Sequence, residues 1–75
     1  MDGAIKMKNF SIDDIVKYPE NIGYHSEIIG KVVGINKNIN YDLNKTPFIW
    51  IEILDLNLDR KMLVASHKLK FISKG

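Results

Sequence analysis

Two apolar stretches separated by a polar loop decide the fold of this chain: EIIGKVVGI at residues 27–35 and FIWIEIL at residues 48–54. Both are dense in β-branched residues, and the second adds two aromatic residues, a composition typical of β-strands. The intervening residues 36–46 are rich in asparagine and predict an exposed hairpin loop, into which the strands can extend as a two-stranded ribbon. We therefore predict a central antiparallel hairpin in an all-β fold.

The two strands of this hairpin differ in character. Alternation within residues 48–54 puts Ile49, Ile51 and Ile53 on one face and Trp50 on the other. In the first strand, Gly30 and Gly34 predict a bulge or a bend, which a small barrel needs at its corners. Because these glycines lie inside a strand and not before a helix, they do not form a phosphate-binding loop.

Three further strands are predicted outside the hairpin. Residues 15–18 follow an Asp-Asp turn, and a short helix starting at Ser11 with Asp14 in a capping position is the alternative. We favour the strand, because so short a helix is marginal by itself. Residues 61–65 and 69–72 form the last two strands, and the turn Ser66–Lys68 between them fits one turn of 3-10 helix.

The length of 75 residues limits the chain to one domain. We assign residues 1–9 to a flexible N-terminal tail, residues 10–72 to a five-stranded small barrel, and residues 73–75 to a C-terminal tail. The chain has no cysteine, so packing alone has to stabilise this fold. No apolar run approaches the roughly 18 residues of a membrane span and no secretion signal is apparent, so we expect a cytoplasmic protein.

The order of these signals resembles that of SH3-like barrels. The motifs that carry the resemblance are Asp-x-Val-x-Tyr at residues 14–18, Gly-x-Val-x-x-Ile at residues 30–35 and Leu-x-x-Ile at residues 69–72. The chain looks most similar to a group of small, uncharacterised barrel proteins of methanogenic archaea, and it differs from the usual pattern at Asp13, where glycine is common. The resemblance implies an SH3-like barrel and no particular activity, since such barrels carry many unrelated functions.

The charge of the chain is unevenly distributed. The net charge is only +2, but the residues from Arg60 onward include five cations and no acid. Lys61, Lys68 and Lys70 could lie on neighbouring strands and share a face with His67, where lysines would bind phosphates without reading sequence. A solvated basic face is the simpler interpretation, because the chain has a single arginine and no interleaving of aromatic and basic residues.

Trp50 is the aromatic residue with the clearest potential for binding. It either covers a second small apolar cluster with Phe48 and Leu54 or stays partly exposed. An exposed Trp50 near Tyr18, Tyr24 or Tyr41 would provide a stacking surface for a peptide or a base. We favour the first interpretation, in which the tryptophan covers a thin core.

Several catalytic or metal-binding patterns are weak. The acid spacing of residues 55–59 begins like a calcium loop, but the required glycine and glutamate are missing. The spacing of His25 and His67 does not group them as metal ligands. Ser66 and His67 are adjacent and would point apart, unlike a nucleophile and its base. Glu27 and Glu52 could face each other across the hairpin, although surface solubility explains both equally well.

These observations favour a non-catalytic module that binds a protein or a peptide, with no cofactor and no metal. The alternative is weak, sequence-independent binding of RNA or single-stranded DNA through the basic C-terminal strands. The candidate binding residues are Trp50, Tyr24, Tyr41, Arg60, Lys61, His67, Lys68 and Lys70.

Overall fold

The computed structural model describes residues 8–19 and 27–75, which form seven β-strands and one turn of 3-10 helix. The strands are β1 (Ile15–Tyr18), β2 (Ile28–Ile35), β3 (Asn40–Tyr41), β4 (Pro47–Phe48), β5 (Trp50–Asp55), β6 (Arg60–Ala65) and β7 (Lys70–Ser73). The 3-10 turn is Ser66–Lys68, as predicted. The all-β prediction is therefore confirmed for the described residues, none of which forms a helix able to cross a bilayer.

Five strands form one antiparallel sheet in the order β6–β5–β2–β1–β7, and β3 and β4 form a separate two-stranded ribbon. The central hairpin is the pair β2 and β5, which exchange the predicted antiparallel contacts. The first strand of the ribbon, β3, lies in the predicted loop, and β4 begins just after that loop at Pro47, where a missing N–H is tolerated at a strand start. β6 begins one residue earlier than predicted, at Arg60, and β7 continues to Ser73, beyond the predicted end of the domain.

The ambiguous segment before β1 is resolved as a turn that leads into a strand. Asp14 accepts a hydrogen bond from the backbone N–H of Ser11 through its carboxylate, at 2.8 Å, as the acid of a capping box would. However, Asp13 has φ of 77°, outside the helical region, and its N–H donates to the carbonyl of Val32. This positive φ lies in the left-handed region, which glycine adopts most readily and which aspartate tolerates better than most other residues.

The core lies on one face of the five-stranded sheet. Ile51 and Ile53 are fully buried, as the alternation within the second hairpin strand predicts, while Trp50 and Glu52 are half-buried on the opposite side. The buried cluster consists of Val16, Val32, Ile51, Ile53, Val64 and Leu69. Phe10, in the segment before β1, packs against this cluster.

The predicted strand over residues 48–54 is interrupted at Ile49, which is a correction. Phe48 belongs to the ribbon and is buried there, whereas Trp50 begins β5. The backbone of Ile49 is bonded to the 3-10 turn instead of to a strand: its N–H donates to the hydroxyl of Ser66 at 3.1 Å, and its carbonyl accepts from the N–H of Ser66 at 2.8 Å. Ile49 therefore separates β4 of the ribbon from β5 of the five-stranded sheet.

The two glycines of β2 lie at two special points in its pairing with β5. Gly34 lies at a shift of register, and Gly30 lies where the two backbones approach closely. The pairing of β2 with β5 shifts register between Val32 and Gly34, which confirms the predicted irregularity. A Cβ atom at Gly30 would lie 3.0 Å from the carbonyl oxygen of Leu54 and 3.1 Å from Cδ1 of Ile53. Gly30 therefore allows a close approach of two backbones that any side chain would oppose.

Candidate functional site

A groove of about 560 Å³ lies where the ends of β1 and the 3-10 turn meet the loop between β3 and β4. Three lysines line it, together with one tyrosine, one histidine and one aspartate. These residues are Lys8, Lys68, Lys70, Tyr18, His67 and Asp42. They come from four separate parts of the chain, and the strand order is what brings β1 beside β7.

Asp42 organises the loop that forms one wall of this groove. Its Oδ1 accepts hydrogen bonds from the backbone N–H groups of Asn44 at 2.8 Å and Thr46 at 2.9 Å. Its Oδ2 lies 3.1 Å from Nε2 of His67. The Thr46 N–H, helped by the Asn44 N–H and by His67, lowers the pKa of Asp42 from its ordinary value of 3.8, against an opposing effect of desolvation. Asp42 is therefore a carboxylate whose charge is already satisfied within the protein.

The His67 ring connects Asp42 with two aromatic residues. It stacks on Phe48, with ring centroids 4.9 Å apart and ring planes at 18°, and Phe48 meets Trp50 edge-on at 5.1 Å. Nδ1 of His67 is buried and has no hydrogen-bond partner among the described residues. With the ring fixed by Phe48 and Asp42, His67 anchors the loop to the 3-10 turn and offers little to a ligand.

The lysines of the groove keep their positive charge available. Nζ of Lys8 donates to the carbonyl oxygen of Leu69 at 2.8 Å, which leaves two further donors on the ammonium group. Lys68 and Lys70 are exposed, and neither forms an ion pair with a carboxylate of residues 8–19 or 27–75. The groove therefore has a positive character and suits an anionic group.

Trp50 is not among the lining residues of this groove. It lines a separate shallow hollow of about 360 Å³ together with Gly34, Glu52 and Leu63, and the described lining of that hollow includes no lysine or arginine. Trp50 is half-buried and contacts Phe48, so it covers an aromatic cluster and is also partly open to solvent. Tyr41, on the ribbon, is 56% exposed. Tyr24 and His25 lie outside the described residues.

The predicted basic face is divided between two edges of the sheet. Arg60 and Lys61 are on β6, while Lys70 is on β7, and these strands are the two opposite ends of the sheet. The expectation that Lys61, Lys68 and Lys70 lie on neighbouring strands is therefore wrong. Of these three lysines, Lys68 and Lys70 line the groove with His67, and Lys61 does not.

The weak catalytic and metal-binding patterns have ordinary structural roles. Ser66 is 1% exposed and its hydroxyl accepts the Ile49 N–H, whereas the His67 ring is bonded to Asp42. Asp55 begins a turn by accepting the N–H groups of Asn57 and Leu58. In the part of the chain that the structure describes, no three metal-ligating side chains are grouped.

Glu27 and Glu52 do not face each other. Glu52 lies opposite Gly34 on β2, and Glu27 precedes the other end of that strand. The carboxylate of Glu27 instead pairs with Lys17 on β1, at 3.5 Å. The hydrogen-bond register therefore separates the two acids along the length of the hairpin.

Of the candidate binding residues, His67, Lys68 and Lys70 line the groove, whereas Lys8 and Asp42 line it without being among those candidates. Lys8 falls in the predicted flexible tail, most of which lies outside the described residues. Asp42 falls in the predicted exposed loop, and the pattern Asp-x-Asn-x-Thr at residues 42–46 is the signal that could have identified it, because an aspartate in such a pattern bonds to the following backbone.

Comparison with known proteins adds no relative: no protein-family model, no curated protein and no solved structure matches the chain. The interpretation of the site therefore rests on its geometry and its chemistry.

Proposed function

We propose that this protein is a non-catalytic binding module for a protein or peptide ligand, and that an acidic segment of this ligand occupies the lysine-lined groove. The observation that carries the proposal is the balance of charge in the groove. Lys8, Lys68 and Lys70 line it, and the carboxylate among its described lining residues, Asp42, is already bound by two backbone N–H groups and by His67. Such a site favours incoming carboxylates.

We propose that the scaffold is an SH3-like barrel. Two features support this: the first strand of the chain lies between the second and the last, and a 3-10 turn precedes the last strand. The motifs at residues 14–18, 30–35 and 69–72 fall on β1, on β2 and around the start of β7. A barrel of this kind presents its loops and edges as binding surfaces, and function depends on the residues placed there.

The absence of catalysis is part of this proposal. The groove contains an Asp–His pair, the arrangement that orients a general base in hydrolases. However, the neighbouring Ser66 is buried and its oxygen accepts the Ile49 N–H, so it does not lie at the imidazole as a nucleophile would. The pair serves here to hold the loop of residues 42–46 against the 3-10 turn.

A peptide ligand is favoured over a nucleic acid because Trp50 and the lysines line different concavities. A single-stranded nucleic acid needs stacking surfaces along the track of its phosphates. Trp50 lies in the hollow with Glu52 and Leu63, whereas Lys68 and Lys70 lie in the groove. Nucleic-acid binding is kept as the competing outcome, because Tyr18 does lie beside these two lysines.

A displayed library of random eight-residue peptides, with single-stranded RNA and DNA oligomers as competitors, tests the proposal. We expect the selected peptides to be rich in Asp and Glu. The best of them, synthesised as a probe, is then titrated against the wild type and two variants: Lys68→Glu/Lys70→Glu in the groove, and Arg60→Glu/Lys61→Glu on the opposite edge. The two variants change net charge equally, so only the position of the charge differs.

We expect the groove variant to bind the probe about tenfold or more weakly, because two favourable charge contacts become repulsive. The edge variant should stay within about threefold of the wild type, because screening at physiological salt limits distant charges. Equal losses in both variants, selection of no acidic peptide, or displacement of the probe by RNA at lower concentration than by peptide would overturn the proposal.

A further inference from the structure

We propose that the acidic segment binds as an added β-strand along the free edge of β7. This inference rests on the proposed function and specifies how the ligand lies on the protein. Its basis is the position of β7 in the sheet, the exposure of its side chains and the distribution of charge around it.

β7 is an edge strand whose outer side is unpaired among the described residues. It is the last strand in the order β6–β5–β2–β1–β7, and its ladder is made with β1 alone. An edge strand presents a row of backbone N–H and C=O groups, which an extended peptide can satisfy by pairing. The backbone of Lys70–Ser73 therefore provides the hydrogen-bonding groups for a further strand.

The two central residues of β7, Phe71 and Ile72, are apolar. Phe71 is 53% exposed and Ile72 is 46% exposed, and successive residues of a strand point to opposite faces. Phe71 is paired with Val16, a fully buried core residue, so the apolar face of the sheet continues to the edge, where Phe71 is half open to solvent. An added strand with an apolar residue opposite Phe71 would extend that face.

The charge around β7 selects an acidic partner over a second copy of the chain. Lys70 begins the strand, Lys74 follows its end, and no residue after Asp59 is acidic. Antiparallel pairing of two β7 strands would bring Lys70 of one copy towards Lys74 of the other, and like charges across a sheet are destabilising. A segment that alternates acidic and apolar residues can place carboxylates near the lysines and an apolar side chain against Phe71.

The edge and the groove are continuous. Lys70 is both a lining residue of the groove and the first residue of β7. A strand paired with β7 therefore enters the groove at the Lys70 end, where Lys68 also lies. One extended segment can thus place its carboxylates in the groove and its backbone along the edge.

A scan of the probe peptide with single backbone N-methyl groups tests strand addition. In a strand at an edge, alternate N–H groups point to the partner strand and the others point to solvent. Methylation at each partner-facing position should weaken binding about tenfold or more, while the positions between them change little. The unmodified probe supplies the reference, and the protein remains wild type, so folding of a variant does not enter.

Amide hydrogen exchange on the complex gives a second measurement. Outward-facing amides of Lys70–Ser73 should exchange at least tenfold more slowly in the presence of the saturating probe. Strand addition would be overturned if the losses of affinity did not alternate from one methylated position to the next. Unchanged amide exchange in β7 would also overturn it. The titrations of the two charge variants separate this failure from a failure of the proposed function. If the probe still binds Lys68→Glu/Lys70→Glu more weakly than Arg60→Glu/Lys61→Glu, the groove remains the binding site and only strand addition is overturned. If it binds both variants equally, the proposed function itself is overturned. A dimer of the free protein paired through β7 would also contradict this inference.

Discussion

At the scale of single residues, Asp42 does most to shape the candidate site. Its carboxylate closes the loop by accepting the N–H groups of Asn44 and Thr46, and it fixes the His67 ring over Phe48. The same contacts favour the ionised carboxylate and offset part of the repulsion that its negative charge would exert on an anionic ligand. One side chain therefore shapes a groove wall, while Lys8, Lys68 and Lys70 give the groove its positive character.

The ionisation of Asp42 leads to a pH-dependent prediction for the variant Asp42→Asn. Folding lowers the pKa of Asp42 below 3.8, so the ionised carboxylate stabilises the folded state above about pH 4. That contribution is lost as the pH falls through the lowered pKa that Asp42 has in the folded state. We expect the wild type to be more stable than Asp42→Asn at about pH 6. The difference in the free energy of unfolding should shrink towards zero at a pH well below 3.8, the ordinary pKa of the carboxyl group.

Urea unfolding of both proteins over a series of pH values measures this difference. Asp59→Asn is the matched control, because it removes the same charge from an exposed turn residue whose φ of 55° asparagine tolerates. A difference between wild type and Asp42→Asn that does not vary with pH would show that the carboxylate charge contributes nothing to the loop.

At the scale of elements, the sequence predicts the strands well where the reasons are local. The strand β1 follows from β-propensity and from the turn at Asp13, and the turn Ser66–Lys68 follows from its flanking strands. The break at Ile49 could not be predicted, because residues 48–54 read as one continuous apolar strand. It depends on hydrogen bonds to Ser66, which is distant in the sequence and becomes a neighbour only in the folded chain.

The two glycines of β2 are predicted to tolerate substitution unequally. A Cβ at Gly30 would press on the Leu54 carbonyl and on Ile53 of the neighbouring strand, so Gly30→Ala should cost about 1–3 kcal/mol of stability. At Gly34 the nearest atom is Oε1 of Glu52, at 3.0 Å, the end of a flexible side chain. Gly34→Ala should therefore change stability by less than about 1 kcal/mol, since alanine also lowers the entropy of the unfolded chain.

Chemical denaturation of the two alanine variants measures this contrast, and each variant serves as the control for the other. A loss at Gly34 as large as that at Gly30 would contradict it, because the close approach of β2 to the Leu54 backbone would then not be the decisive constraint.

At the scale of the whole molecule, strand order decides which charges act together. The sequence places five cations after Asp59, and a linear view predicts one basic face. The sheet sends β6 and β7 to opposite edges, which separates Arg60 and Lys61 from Lys68 and Lys70. The groove combines residues from four distant segments, so composition could predict its positive sign but not its location or the presence of Lys8 and Asp42.

Nuclear magnetic resonance tests the central claim, that an acidic peptide occupies this groove, most directly. In a titration of the labelled protein with the selected peptide, we expect the largest amide shift changes at Lys68, Lys70 and Thr46, with further changes along β7. Shift changes centred on the hollow of Trp50 and Leu63, or on Arg60 and Lys61 at the opposite edge, would contradict the account.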